Sequence, residues 1–125
     1  MQLTFEVLDA GFTVHRLKPG ASPPQAVLNS RFYALTKTED ELSIVCASDI
    51  VVGGERAETG WSCLKVLGPL DFSLTGVLAG LTTALANAGI SVFALSTYDT
   101  DYVFVKTASL ARAVLTLQAA GYDRA

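Results

Sequence analysis

The chain has 125 residues, a net charge of −3 and a composition that is 50% hydrophobic and 17% charged, enough apolar material for one ordinary domain or two very small ones sharing a core and too much for a largely disordered chain. Lys and Arg are nowhere clustered, so a phosphate-tracking surface has no raw material and nucleic acid is excluded as an expected partner. No segment approaches about 20 consecutive apolar residues, and MQLTFEVLDAGF carries neither a basic n-region nor the apolar run of a signal peptide, so no membrane association is expected and the cytoplasm is the expected compartment.

So apolar a composition in so short a chain implies that a second copy covers some of it, and a homodimer is expected. Cys46 and Cys63 lie in strand-like apolar runs, where a thiol acts as a small hydrophobe, and a disulfide is not expected.

Residues 2–8 alternate Leu3, Phe5 and Val7 with polar neighbours, the period of a half-buried strand. Ala10 and Gly11 are expected to turn the chain before a second alternating strand at 12–17. Turn residues at 18–24 follow, and Pro23 or Pro24 can open a short helix through Asn29. Residues 31–38 and 41–48 flank Glu39 and Asp40 and predict a hairpin. One helical turn is expected at 49–52, then a polar, glycine-bearing connection at 53–60 that is the best internal boundary. A strand runs from Trp61 to Leu67.

From Ser73 the period becomes helical, with Leu74, Val77, Leu78, Leu81, Ala84, Leu85 and Ala88 on one face, Ser73 as cap and Gly89 as stop. Gly76 and Gly80 inside it each cost about 1 kcal/mol of propensity, which points to close packing or ligand approach. Strands are predicted at 91–97 and 101–106. A second helix is marked by Leu110, Ala113, Val114 and Leu117, with Thr107 as a candidate cap and Gly121 as its end.

The order from Trp61 is strand, helix, strand, strand, helix, one strand short of a ferredoxin-like βαββαβ unit. The spare strand at 2–8 is expected to complete it. The expected fold is therefore α+β: two ferredoxin-like units interlocked, with antiparallel sheets and helices on one face. A degenerate unit spans 1–60, and a C-terminal unit spans 61–125.

Residues 73–79, followed by Leu85, Ala88, Gly89, Ile90 and Ser91, resemble the ACT domain pattern of a glycine-bearing helix start, a helix and a Gly-Ile strand entry. LSTYDTDYVFVKTASLARAVLTL at 95–117 and RFYALTKTEDELSIV at 31–45 resemble the ACT repeats of the CASTOR-type cytosolic arginine sensors and their bacterial relatives. This resemblance implies a regulatory, non-catalytic fold that binds a free amino acid between ACT units and acts on a regulated protein partner. The implied ligand residues are Asp71, Phe72, Ser73, Leu74, Thr75 and Gly76 in the loop, with Ser96, Thr97, Tyr98, Asp99 and Asp101 at the strand end. Ser73 stands where the pattern is usually acidic, and Thr75 where it has proline. The sensors carry four units per chain, a number that a dimer of this two-unit chain would restore.

Physical chemistry supplies a matching division of labour. The free N–H groups at the helix start suit a carboxylate, while Asp99 or Asp101, two residues apart, suits an ammonium or guanidinium group, with Tyr98 as a wall. Asp101 is the stronger candidate. The bland alternatives are a plain N-cap at Ser73 and turn chemistry at the aspartates, which together describe a structural or protein-interaction module without a ligand. Two carboxylates with no His or Cys nearby make a poor metal set, so no metal and no cofactor is expected. An enzyme is not expected either. His15 would need a distant Cys46 or Cys63 as its partner, and Gly53-Gly54 lacks the lysine of a phosphate loop.

Overall fold

A computed structural model describes residues 3–67 and 76–125. The chain divides into two compact units, one made of Met1–Asp9 with Ser62–Ala125 and one of Ala10–Trp61. The elements in chain order are β1 (Thr4–Leu17), α1 (Gln25–Leu28), β2 (Tyr33–Lys37), β3 (Leu42–Ala47), β4 (Arg56–Val66), α2 (Val77–Asn87), β5 (Val92–Ser96), β6 (Asp101–Lys106), α3 (Leu110–Ala119) and β7 (Asp123–Arg124).

In the larger unit the strands follow the order β1-β4-β6-β5, and β7 pairs with β1 in parallel at Thr4 and Phe5. Hairpin β5–β6 is in register from Val92 opposite Val105 to Ser96 opposite Asp101. Strand alternation sends Val103 and Val105 into one core with Phe5, Leu64 and Val66, where Leu81 and Leu85 of α2 and Ala113, Val114 and Leu117 of α3 meet them. Phe104, between those valines, instead stacks on Phe93 with ring centroids 4.5 Å apart.

Both long helices stop where glycine was expected to stop them. Gly89 (φ 73) and Gly121 (φ 99) take the left-handed conformation that L side chains rarely adopt. Each is followed by a residue whose N–H reaches back five positions, Ile90 to the Leu85 carbonyl and Tyr122 to the Leu117 carbonyl, both at 3.0 Å. Such a turn satisfies the last helical carbonyls and folds an apolar residue back on the helix, and Ile90 and Leu85 accordingly share the core. Gly80 has a packing reason: a Cβ there would stand 3.2 Å from the Tyr122 hydroxyl.

In the smaller unit β3 lies between β2 and β1. Leu42 pairs with Lys37 on one side and Leu17 on the other, and Cys46 with Tyr33 and Thr13. Leu17, Val27, Leu42, Ile44 and Cys46 form its core, with Ile50 and Val52 against it. The expected short helix is α1, entered from Pro24, whose carbonyl accepts from the Val27 N–H at 3.0 Å. Phe32 packs edge-on against Phe12.

Several expectations are corrected. Ala10 and Gly11 do not turn the chain. They continue one strand, because neither residue resists extended backbone and the Gly11 carbonyl is held by the Ser48 N–H at 2.9 Å. Residues 49–52 form no helix. The Ile50 N–H closes a turn on the Ala47 carbonyl at 3.1 Å, and Ile50 and Val52 are drawn to the core. The polar stretch at 56–60 is the exposed first half of β4 and not a connection. Thr107 caps nothing: its hydroxyl lies 2.8 Å from that of Ser62, and a short 3-10 turn, Thr107–Ser109, leads into α3. The chain does not end without a further strand, since β7 follows α3. The expected cap Ser73 lies outside the described residues, and α2 begins at Val77 after Gly76 (φ 78).

Candidate functional site

Five of the expected site residues sit around the β5–β6 hairpin, and its sequence explains its shape. Ser96 and Asp101 form the last pair of the ladder, and the Ser96 hydroxyl donates to Asp101 Oδ1 at 2.6 Å. Between them the Thr97 N–H donates to the Thr100 carbonyl at 2.8 Å, and the Thr100 N–H donates to Thr97 Oγ1 at 3.2 Å. These reciprocal bonds close a four-residue turn, the role expected of hydroxyl side chains in tight loops. Thr100 is buried and its hydroxyl donates to the Val66 carbonyl of β4, which pins the turn to the sheet. The pin leaves Tyr98, 80% exposed, and Asp99 at the outer tip.

The two aspartates therefore do not act as a pair along one regular strand. Asp99 belongs to the exposed turn and Asp101 to the ladder. The structure brings Asp101 together with Ser96 and separates it from Asp99 by the inward-turned Thr100. Gly76 is the remaining described member. It caps α2 with no side-chain cap hydrogen bond, and the first turn of α2 carries no acidic residue. The N–H groups of that turn have no helical acceptors and lie at the positive end of the helix. Asp71, Phe72, Ser73, Leu74 and Thr75 lie outside the described residues.

A feature that sequence reasoning missed lies in the smaller unit. A shallow cavity of about 180 Å³ is lined by His15, Arg16, Glu41, Ser43, Arg56 and Glu58, among others. Arg16 Nη1 and Glu41 Oε2 form an ion pair at 2.9 Å on its wall. These residues come from β1, from the start of β3 and from β4, far apart in sequence, so no spacing rule could have gathered them. His15 Nε2 is buried without a hydrogen-bond partner, and burial lowers the imidazole pKa below its ordinary value of 6.5. The ring is neutral at pH 7.

The thiols are poor nucleophiles in this setting. Burial, with a smaller contribution from Asp49, raises the Cys46 pKa, and burial pushes Cys63 up to about 12. A protonated, buried thiol packs and does not attack. Among the described residues no group of three or more His, Cys, Asp and Glu side chains could hold a metal ion.

Comparison with known proteins places this architecture. A family profile described as an ACT domain matches residues 56–119, and the chain belongs to the ACT domain family. Its fold is accordingly α+β and ferredoxin-like. A second profile, described as an N-terminal domain, matches residues 10–53. A crystallised protein from Agobacterium tumefaciens is 32% identical, with a TM-score of 0.90 over 100% of this chain and 93% of its own. The aspartate kinase of Clostridium acetobutylicum, 15% identical, shares the fold with a TM-score of 0.65 over 90% of this chain and 33% of its own.

Among curated proteins, the cytosolic arginine sensor for mTORC1 subunit 1 of Pongo abelii is 28% identical over 122 residues, which cover 90% of this chain and 37% of that protein. The chain thus spans little more than a third of that relative's length. It is related to the CASTOR-type sensors, as its 31–45 and 95–117 segments suggested.

Proposed function

We propose that the protein is a small-molecule-binding regulatory module that takes a free amino acid between ACT units and passes its presence on through assembly or a regulated protein partner. The observation that carries this reading is the start of α2. Among the described residues it has neither a side-chain cap nor an acidic residue in its first turn, and N–H groups at a helix start suit a ligand carboxylate. Asp71, Phe72, Ser73, Leu74, Thr75 and Gly76 form the carboxylate pole in this proposal. Ser96, Thr97, Tyr98, Asp99 and Asp101 form the cation pole, with Asp101 meeting the amino or guanidinium group and Tyr98 walling it. The naming of the Pongo abelii relative as an arginine sensor supports an amino acid as the ligand class.

Two interlocked ACT-like units belong to the same proposal. The clustering of Met1–Asp9 with Ser62–Ala125, and the place of β1 beside β4, support exchange of the N-terminal strand into the C-terminal unit. The assembly is a homodimer in the cytoplasm, and the protein is not an enzyme. The cytosolic relative supports the compartment, and among the described residues no helix is long and apolar enough to cross a membrane. Signalling works by population shift, for which the ligand needs only a differential affinity of a few kcal/mol between two arrangements.

One observation favours a second reading, a structural or protein-interaction module without a ligand. The Asp101 carboxylate is already engaged by the Ser96 hydroxyl at 2.6 Å. Isothermal titration with all twenty amino acids decides between the two. Saturable heat from one or a few of them, lost on Ser73→Ala and Asp101→Ala, supports the sensor. No heat from any of them, with both variants keeping every partner contact, supports the second reading.

A further inference from the structure

We propose that the groove between α3 and β7 binds an amphiphilic monocarboxylate, an acyl chain that ends in a carboxylate. The groove has a volume of about 450 Å³ and is lined by Leu110, Ala111, Val114, Leu115, Gln118 and Arg124. Val114 is buried at its floor, Leu110 is half-buried beside it, and Leu115, 68% exposed, stands at its outer side. The apolar side chains recur at helical spacing on one side of α3, so the trough runs about 12 Å along the helix from Leu110 to Gln118.

Among the described lining residues one is charged, and the backbone fixes where it stands. Gly121 (φ 99) reverses the chain after α3, and the Asp123 and Ala125 N–H groups then donate to the Leu3 and Phe5 carbonyls at 2.9 and 2.8 Å. β7 therefore lies in register with β1, Asp123 opposite Thr4 and Arg124 opposite Phe5. Paired residues on neighbouring strands share a face of the sheet. Phe5 belongs to the core that α3 covers, so Arg124 stands on the helix side and Asp123 on the other, away from it. Among the described residues the Arg124 guanidinium has no hydrogen bond or ion pair.

An apolar trough with one unpartnered cation on its β7 wall selects the occupant. A guanidinium takes a carboxylate through two parallel N–H donors, and the trough receives the apolar chain behind it. The volume falls within the range of small-molecule sites, roughly 300 to 1,000 Å³, which are lined mainly by apolar side chains with a few polar groups that fix orientation. A protein partner or a second copy needs about 20 to 30 residues a side, and the groove offers far fewer. A free amino acid fits poorly, because no carboxylate among the described lining residues meets its ammonium group. The site is thus separate from the one proposed at α2 and the β5–β6 hairpin and does not rest on it.

Isothermal titration of the full chain with sodium decanoate, kept below its micelle concentration, should show saturable one-to-one binding. Shortening the acid toward hexanoate should weaken it about threefold for each methylene removed. Decylammonium, with the same chain and the opposite charge, should bind about tenfold more weakly than decanoate. Arg124→Gln should weaken decanoate about tenfold. Ala111→Glu sets a like charge in the groove, at a helix start that favours acidic residues, and should weaken decanoate as much. Both positions are exposed, so both variants should keep the wild-type melting temperature. Amide shifts on binding should centre on α3 and β7. No saturable heat from decanoate, equal binding of the two amphiphiles, shifts centred elsewhere, or an affinity unmoved by either variant would overturn the site.

Discussion

Each unit has a hairpin-bearing sheet, and the two differ in what covers it. In the larger, two helices of 11 and 10 residues bring a full layer of side chains to the strands, and Phe5, Leu64, Val103, Leu81, Leu85 and Leu117 are each at most 1% exposed. In the smaller, the only described helix has four residues and buries Val27 alone. Among the described residues, Leu28, Tyr33, Leu35 and Val51 of this unit are exposed, and Tyr98 and Leu115 of the larger one. A second helix is thus what separates a self-sufficient sheet from one that leaves apolar edge residues in water. The thinner unit is the one expected to open first and to seek a partner.

Substitutions put that contrast to the test. The largest effect is expected from Leu117→Ala, at the centre of the larger core. The lost side chain should cost about 3 kcal/mol in urea unfolding, because helices held on both sides cannot collapse into the cavity. Val27→Ala in the smaller unit should cost roughly half as much, since a one-turn helix can settle inward. Equal losses would contradict the contrast.

Gly54→Ala comes next. Its Cβ would stand 2.7 Å from the Arg16 carbonyl oxygen and 3.1 Å from Leu17 Cδ1, and backbone cannot yield as a side chain can, so about 2 kcal/mol should be lost. Gly80→Ala meets only the end of Tyr122. There the gain of up to about 1 kcal/mol in helix propensity should roughly offset the cost of displacing the Tyr122 hydroxyl and leave the melting temperature nearly unchanged.

Hydrogen exchange should rank the units directly. Amides of β6 and α3 should exchange only on global unfolding and those of β2 far sooner.

The smallest effect is a pH dependence from His15. Its pKa in the folded chain lies below the ordinary 6.5 because burial disfavours the cation. The unfolded state therefore binds the proton more tightly, and the stability contributed by the neutral ring is present above pH 6.5 and lost as the pH falls below it. His15→Gln should flatten a modest decline in the urea midpoint between pH 7 and pH 5. A profile unchanged by the substitution would show that the decline comes from other groups.

Much of the fold was legible because period-two and period-3.6 patterns carry it. The β5–β6 hairpin, α2, α3 and the hairpin of β2 with β3 all follow apolar spacing, and Gly89 and Gly121 mark helix ends through backbone chemistry that needs no tertiary information. Where the reading failed, the deciding contact was remote in sequence. Ala10 and Gly11 turn or extend according to what holds them, and here Ser48 does. Residues 56–60 look like a linker because a strand exposed along its length needs no apolar alternation. Thr107 was a reasonable cap until Ser62, 45 residues away, took its hydroxyl.

The candidate site divides in the same way. Its hairpin residues were legible as polar turn chemistry, and the Ser96–Asp101 and Thr97–Thr100 bonds are local consequences of that sequence. Thr100 turning inward to the Val66 carbonyl was not legible, because the acceptor belongs to another strand. That one bond removes Asp99 from the line of Asp101.

Patterns among near neighbours were enough for both long helices and their ends, the two hairpins and the ACT relationship. Which polar groups meet and which glycines are crowded became visible in the folded chain alone. Those outcomes depend on strands that the chain brings together from dozens of residues apart.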